Sequence, residues 1–170
     1  VDLVRETVSR FNAQSDAAGI DQVNFTDHVV MGENTDRYPY GPFPLPPIAP
    51  WYEPLTMLTA VAARTRQVRL ATGVLILPQR QTVLVAKQAA DLDLLSHGRL
   101  RLGVGVGWNY VEYESLGMEY RNRARRMEEQ VAVMRELWQR CDGGPLREVD
   151  VARALKRLGR RSFDSELLHW

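Results

Sequence analysis

Residues 96–108 read SHGRLRLGVGVGW, and this stretch decides how the rest of the chain is interpreted. The pattern predicts a helix end, a turn at Gly98 and then a strand. Along that strand, branched apolar residues alternate with positions that are mostly bare backbone: Leu100, Leu102, Val104 and Val106 against Arg101, Gly103, Gly105 and Gly107. Glycine inside a strand loses packing and conformational entropy. Three of them in alternation therefore indicate that another group lies close against that face.

The composition is that of an ordinary globular domain. The chain has 170 residues, of which 45% are hydrophobic and 25% charged, and its formal net charge is +1. The basic residues are scattered and not interleaved with aromatic ones, so no nucleic-acid partner is expected. The single cysteine, Cys141, cannot form an internal disulfide. Because no signal peptide and no long apolar run is found, we expect no membrane partner and a cytoplasmic protein.

Helices and strands are expected to alternate outward from the glycine strand. Apolar spacing predicts helices over 2–18, 54–64, 82–96, 110–117 and 123–140, and strands over 23–26, 68–77 and 100–106. Residues 31–54 hold seven of the nine prolines and predict a long loop. Strands that alternate with helices are typical of a parallel α/β sheet, although the pattern leaves open whether the sheet is open or closed.

Unusual residues stand at the carboxyl end of each predicted strand, where parallel α/β folds bind their ligands. Asp27 and His28 follow the first strand, Thr72 and Gly73 interrupt the second, and residues 105–109 end the third. His28 could transfer a proton near neutral pH, and Asp27 could orient it. The alternative is that Asp27 caps the following loop and His28 is a satisfied polar residue.

The remaining motifs give weaker indications of function. The glycine run lacks the third glycine of the dinucleotide-binding pattern, and a methyltransferase is disfavoured because no acidic residue precedes it. The glycines could instead admit a neighbouring side chain. Glu112 and Glu114 are two positions apart and should point away from each other. His97 is expected in a turn, and no metal-ligand spacing is present. The arginines at the start of the last helix are expected on a solvated face: Arg121, Arg123, Arg125 and Arg126.

Several segments together resemble the luciferase-like monooxygenase superfamily, and especially its branch of oxidoreductases that depend on the deazaflavin coenzyme F-420. The segments are DHVV at 27–30, YPY and the proline loop from 38, AARTRQVRLATGV at 62–74, LSHGRLRLGVGVGW at 95–108 and RELW at 135–138. They occur in the family's order and cover about residues 15–140. The resemblance implies a (β/α)8 barrel whose mouth holds a flavin-like ring, with hydride transfer carried by the cofactor.

The resemblance also assigns roles to residues of this chain. It implies that His28 and Asp27 are the catalytic pair beside the ring. It places a non-proline cis peptide between Gly73 and Val74, next to Thr72. The residues expected to contact the cofactor are Thr72, Gly73, Val74, Gly105, Gly107, Trp108 and Asn109, with 108–112 as the edge of the pocket. One branch carries a catalytic acid where this chain has Trp108, which argues against sugar-phosphate oxidation.

The same resemblance implies only part of a barrel, because a complete one takes about 250 residues. Residues 1–140 are expected to form the N-terminal part of the barrel. Residues 141–170 are expected to form a divergent basic tail, which is either a truncated or misframed end or a genuine divergence. Exposed sheet edges would favour a homodimer or another oligomer. The expected function is hydride transfer between F-420 and an unknown small organic substrate. The alternatives are an FMN-dependent monooxygenase and a non-catalytic fragment or interaction subunit.

Overall fold

A computed structural model describes residues 17–33, 35, 37–46 and 49–139. All but the last two positions of the helix expected over 2–18, and the whole tail 141–170, lie outside these residues. The strands are β1 Gln22–Phe25, β2 Arg69–Thr72, β3 Leu75–Ile76, β4 Leu100–Arg101 and β5 Val104–Gly105. The helices are α1 Pro54–Ala62, α2 Thr82–Leu95, α3 Tyr110–Ser115 and α4 Arg123–Trp138, with a 3₁₀ helix at Leu77–Gln79. The chain divides into two compact units, and each is described separately.

The first unit contains residues 17–27, 52–75 and 88–104 and is built on a parallel sheet. Its strand order is β1-β2-β4, and Phe25 pairs with Thr72 at the carboxyl end. Helix α1 begins at Pro54, where the fixed φ of proline suits the first turn, and the Glu53 carboxylate accepts a hydrogen bond from Thr56 N at 2.7 Å. The apolar face of α1 is buried together with β2. The sheet and its parallel order are therefore confirmed.

Two strands are shorter than the sequence predicted. The strand expected over 68–77 is wrong as one element, because the cis peptide between Gly73 and Val74 separates β2 from β3. That cis peptide itself is confirmed. The glycine strand is also divided, since Gly103 N donates to Arg101 O at 3.1 Å and lies outside both β4 and β5. Strands β3 and β5 form a separate two-stranded pair.

The turn after α2 is a helix stop of the Schellman type. Gly98 N donates to Asp93 O at 2.8 Å and His97 N donates to Leu94 O at 3.1 Å. His97 has φ +57° and Gly98 has φ +77°, so both residues adopt the left-handed conformation. The structural role expected for His97 in a turn is confirmed.

Arg99 joins α1, β2 and the end of α2 through its guanidinium group. It donates to Ser96 O at 2.7 Å, to Val68 O at 2.8 Å, and to Ala62 O, Thr65 O and Thr65 Oγ1 at 2.9 to 3.1 Å. These acceptors lie at the ends of elements, where carbonyl groups lack partners within the helix. One side chain therefore satisfies several backbone groups at once.

Arg99→Ala is expected to lower the free energy of unfolding by about 2–4 kcal/mol, because it leaves several partly buried acceptors without a donor. The matched control is Arg101→Ala, since Arg101 is exposed and its hydrogen bonds go to the nearby carbonyl groups of Gly98 and Leu100. Urea denaturation of both variants measures the difference. Equal stability of the two variants would show that the Arg99 network contributes nothing.

The second unit contains described residues from 28–51, 76–87 and 105–139. Helix α4 packs on the 3₁₀ helix, and Arg126 donates to Pro78 O at 3.0 Å. Gln130 Nε2 donates to Arg80 O at 2.9 Å. The expectation of a solvated arginine cluster is therefore wrong for Arg126, which is 6% exposed, because the ends of the 3₁₀ helix need donors. Arg123 lies over the Tyr120 ring at 3.8 Å.

Candidate active site

His28 lies three residues beyond the end of β1, directly after the buried Asp27. Its side chain is 11% exposed, and Nδ1 lies 3.2 Å from both carboxylate oxygens of Glu112. The two residues are 84 positions apart in the chain. The residue that orients His28 through Nδ1 is therefore Glu112, where sequence reasoning expected Asp27 to do so. A catalytic role for Asp27 stays a prediction.

Glu112 is fully buried in the first turn of α3 and receives several donors. Its Oε1 accepts from Val29 N at 2.7 Å and from Val30 N at 3.3 Å. An ionised carboxylate only accepts hydrogen bonds, so opposite an ionised Glu112 the proton of a neutral His28 lies on Nδ1. One carboxylate thus holds both the His28 ring and the backbone that follows it.

Asn109 holds the same segment from the start of α3. Its Oδ1 accepts from Val111 N at 3.2 Å and caps the helix, while Nδ2 donates to Val30 O at 3.0 Å. The side chain is 2% exposed. These bonds give Asn109 a structural function next to Glu112, and its contact with a cofactor stays a prediction.

An aromatic cluster surrounds the His28 ring, and we define it as Tyr38, Phe43, Trp51 and Trp108. The His28 ring centroid lies 4.6 Å from that of Trp51 and 6.1 Å from those of Phe43 and Trp108, in edge-to-face arrangements. Tyr38 packs on Phe43 at 5.0 Å and on Trp108 at 5.3 Å. Such pairs are favourable beyond the apolar area they bury. The proline-rich loop contributes three of the four rings.

Two ring nitrogen atoms in this region have no hydrogen-bond partner among the described residues. Trp51 Nε1 is buried and has no hydrogen-bond partner among the described residues. Among the described residues, the hydrogen bonds of His28 all use Nδ1, so Nε2 has no partner there. With Nδ1 protonated, neutral His28 offers a lone pair at Nε2. The site therefore combines one acceptor with one donor among apolar rings.

Two tyrosines hold the backbone at the end of the glycine run. The Tyr113 hydroxyl donates to Val106 O in a short hydrogen bond, and the Tyr120 hydroxyl donates to Trp108 O at 3.0 Å. Burial raises the pKa of Tyr113 far above its ordinary value, and the neighbouring Tyr120 and Glu112 raise it further against the opposing Arg123. Tyr113 therefore stays a neutral donor throughout the physiological pH range.

Gly107 has a reason to be glycine within the protein itself. Its φ is +65°, and a Cβ atom would lie 2.9 Å from Ile76 Cγ2. The alternative interpretation, that a glycine makes room for a neighbouring side chain, therefore applies at Gly107. Contact of Gly107 or Gly105 with a cofactor stays a prediction, and for Gly107 it would involve the backbone.

Three further predicted residues belong to the first unit. Thr72 Oγ1 donates to Gly103 O at 2.7 Å, and Gly73 N donates to Phe25 O at 2.8 Å. Val74 is 44% exposed. Their place relative to His28 and Trp108, which belong to the second unit, stays a prediction.

Sequence reasoning missed the function of Glu112 and of three aromatic residues. Glu112 was considered as one of a pair with Glu114, which is exposed, and as the last residue of the pocket edge over 108–112. A usable signal was its position three residues after Asn109, because asparagine followed by glutamate at this spacing is typical of a helix start. For Tyr38, Phe43 and Trp51, the signal was large rings within a loop, because such rings require burial.

Within residues 17–139, so far as these are described, no group of three or more histidine, cysteine, aspartate or glutamate side chains could hold a metal ion. No described helix is both long enough and apolar enough to cross a membrane.

The family model for luciferase-like monooxygenases matches residues 6–161, and the chain belongs to this family. It is 33% identical over 132 residues to an F420-dependent glucose-6-phosphate dehydrogenase of Amycolatopsis mediterranei, covering 75% of this chain and 36% of the relative.

Two solved structures share the fold. Monooxygenase RslO1 of Streptomyces bottropensis superimposes with a TM-score of 0.63 at 28% identity, covering 79% of this chain and 36% of that one. The oxygenating constituent of 3,6-diketocamphane monooxygenase from Pseudomonas putida, solved with FMN, gives 0.62 at 19% identity, covering 81% and 35%. The chain thus spans about a third of the length of these matches.

Proposed function

We propose that this chain is the N-terminal part of a (β/α)8 barrel that transfers a hydride between coenzyme F-420 and a small organic substrate. The observation that carries the proposal is the His28–Glu112 pair, which leaves Nε2 free beside the aromatic cluster. Family membership and the F420-dependent relative support it. The parallel order of β1, β2 and β4 supports the barrel. We also propose a cytoplasmic location and a homodimer.

The residues present fit a flat ring that carries polar atoms at its rim. The buried Trp51 Nε1 lacks an acceptor, and the rings of Phe43 and Trp108 offer apolar surface. The Glu112 carboxylate beside His28 is fully buried and already accepts hydrogen bonds. Residues proposed to hold the cofactor are Thr72, Gly73, Val74, Gly105, Gly107, Trp108 and Asn109.

The deazaflavin ring, when bound, supplies hydride transfer. Oxidation of an alcohol releases one hydride and one proton, so the protein must accept the proton. His28 Nε2 is the acceptor we propose, and in the reverse direction the imidazolium returns the proton. Glu112 holds the ring, and the aromatic cluster limits the access of water.

The F-420 assignment predicts that the protein, as its gene encodes it, binds oxidised F-420 at least about tenfold more tightly than FMN, a difference of about 1.4 kcal/mol. Separate fluorescence titrations with each cofactor measure both dissociation constants. Equal or tighter binding of FMN would contradict the assignment. Binding of neither cofactor would favour a non-catalytic fragment or interaction subunit.

The second candidate function is an FMN-dependent monooxygenase. Two structural neighbours are named as monooxygenases, and one of them was solved with FMN. This alternative uses reduced flavin and oxygen and needs the same apolar surroundings, since water shortens the life of reactive intermediates. Oxygen uptake that depends on reduced FMN, with no turnover of F-420, would establish it.

A further inference from the structure

Packing alone does not explain why the carboxylate of Glu112 is buried. A fully buried carboxylate is costly unless donors compensate its charge. Here the donors are Val29 N, Val30 N and His28 Nδ1. All of them belong to the segment that follows β1, so the carboxylate acts on the position and protonation of His28.

The two carboxylate oxygens divide these contacts unequally. Both backbone N–H groups, of Val29 and Val30, donate to Oε1. Oε2 lies 3.2 Å from His28 Nδ1. Oε1 thus anchors the backbone and also lies 3.2 Å from His28 Nδ1, while the contact of Oε2 among the described residues is with the histidine ring.

We propose that Glu112 is a positioning residue that keeps neutral His28 in the Nδ1–H tautomer and so leaves Nε2 as the proton acceptor. The inference rests on the proposed function of His28. It extends that function by naming the residue on which the direction of proton transfer depends. Without such a partner, a neutral imidazole can exchange between both tautomers.

Glu112→Gln tests the inference because it separates the two tasks. The N–H groups of Val29 and Val30 require an oxygen at the Oε1 position, so the amide NH₂ must occupy the Oε2 position. There it becomes a donor that faces His28 Nδ1. This donor replaces the oxygen whose contact is with the ring, so it favours a neutral His28 that accepts at Nδ1 and carries its proton on Nε2. We therefore expect the substitution to preserve shape and backbone anchoring and to exchange the tautomer.

Long-range ¹⁵N–¹H correlation spectra of histidine-labelled protein report the tautomer directly. The chain has three histidines, and the spectra of His28→Asn and His97→Asn assign two of them. At about pH 8.5, well above the ordinary histidine range, we expect Nδ1–H in the wild type and Nε2–H in Glu112→Gln. Glu114→Gln is the matched control, since Glu114 is exposed on the same helix, and should leave the spectrum unchanged.

Two results would overturn the inference. One is a wild-type His28 that already carries its proton on Nε2, and the other is a Glu112→Gln protein that keeps it on Nδ1. Circular dichroism and thermal melting confirm that the variant is folded. Because this readout needs neither cofactor nor substrate, failure to bind F-420 would reject the proposed function while leaving the tautomer result intact.

Discussion

His28→Asn is expected to lower kcat by about 10²–10⁴-fold, the usual contribution of a general base or acid. Asparagine places an N–H near the position of Nδ1 and can still donate to Glu112. It has no group at the position of Nε2. The variant therefore removes proton transfer and retains the contact that holds the segment after β1. Its dissociation constant for F-420 should stay nearly unchanged.

The measurement uses a substrate found by screening small alcohols for loss of F-420 fluorescence. His97→Asn is the matched control, because His97 is exposed with φ +57° and asparagine readily adopts that conformation. It should keep wild-type kcat and KM. If His28→Asn also kept wild-type kcat, His28 would be a structural residue at a strand end, the alternative that the sequence alone left open.

The local sequence pattern was sufficient to predict the elements in which buried residues recur at a regular spacing. The apolar spacing from Leu55 to Val61 predicted α1, and these side chains are buried. The mostly apolar stretch around Leu70 predicted a central strand, and β2 lies between β1 and β4. In both cases one periodic face meets the core, so neighbouring residues contain the information.

Contacts between distant segments could not be read from the same pattern. The alternation from Leu100 to Val106 fits one continuous strand, but Gly103 N donates to Arg101 O and lies outside both β4 and β5. Similarly, His28 was conspicuous at a strand end, while its partner Glu112 resembles any other residue of a short helix. One sequence carries no signal that links positions 84 residues apart.

In the glycine run, close contact between two backbone segments was not predictable from the sequence pattern, and it limits which substitutions are tolerated. A Cβ atom on Gly103 would overlap the carbonyl oxygen of Thr72, which is a backbone atom. Thr72 is held in the sheet by its pairing with Phe25. Gly103 is held by two bonds to its own carbonyl, from Thr72 Oγ1 at 2.7 Å and from Leu75 N at 2.8 Å. Neither backbone can move aside without breaking these bonds.

Gly103→Ala is therefore expected to lower the free energy of unfolding by more than about 3 kcal/mol, or to prevent folding, as overpacking against fixed backbone does. Gly98→Ala separates this effect from conformational strain. Gly98 has φ +77° and no atom within 4 Å of an added Cβ, so its loss should be about 1–2 kcal/mol. Urea denaturation compares the two variants. If Gly103→Ala were no less stable than Gly98→Ala, the close contact between Gly103 and the Thr72 carbonyl would not exist.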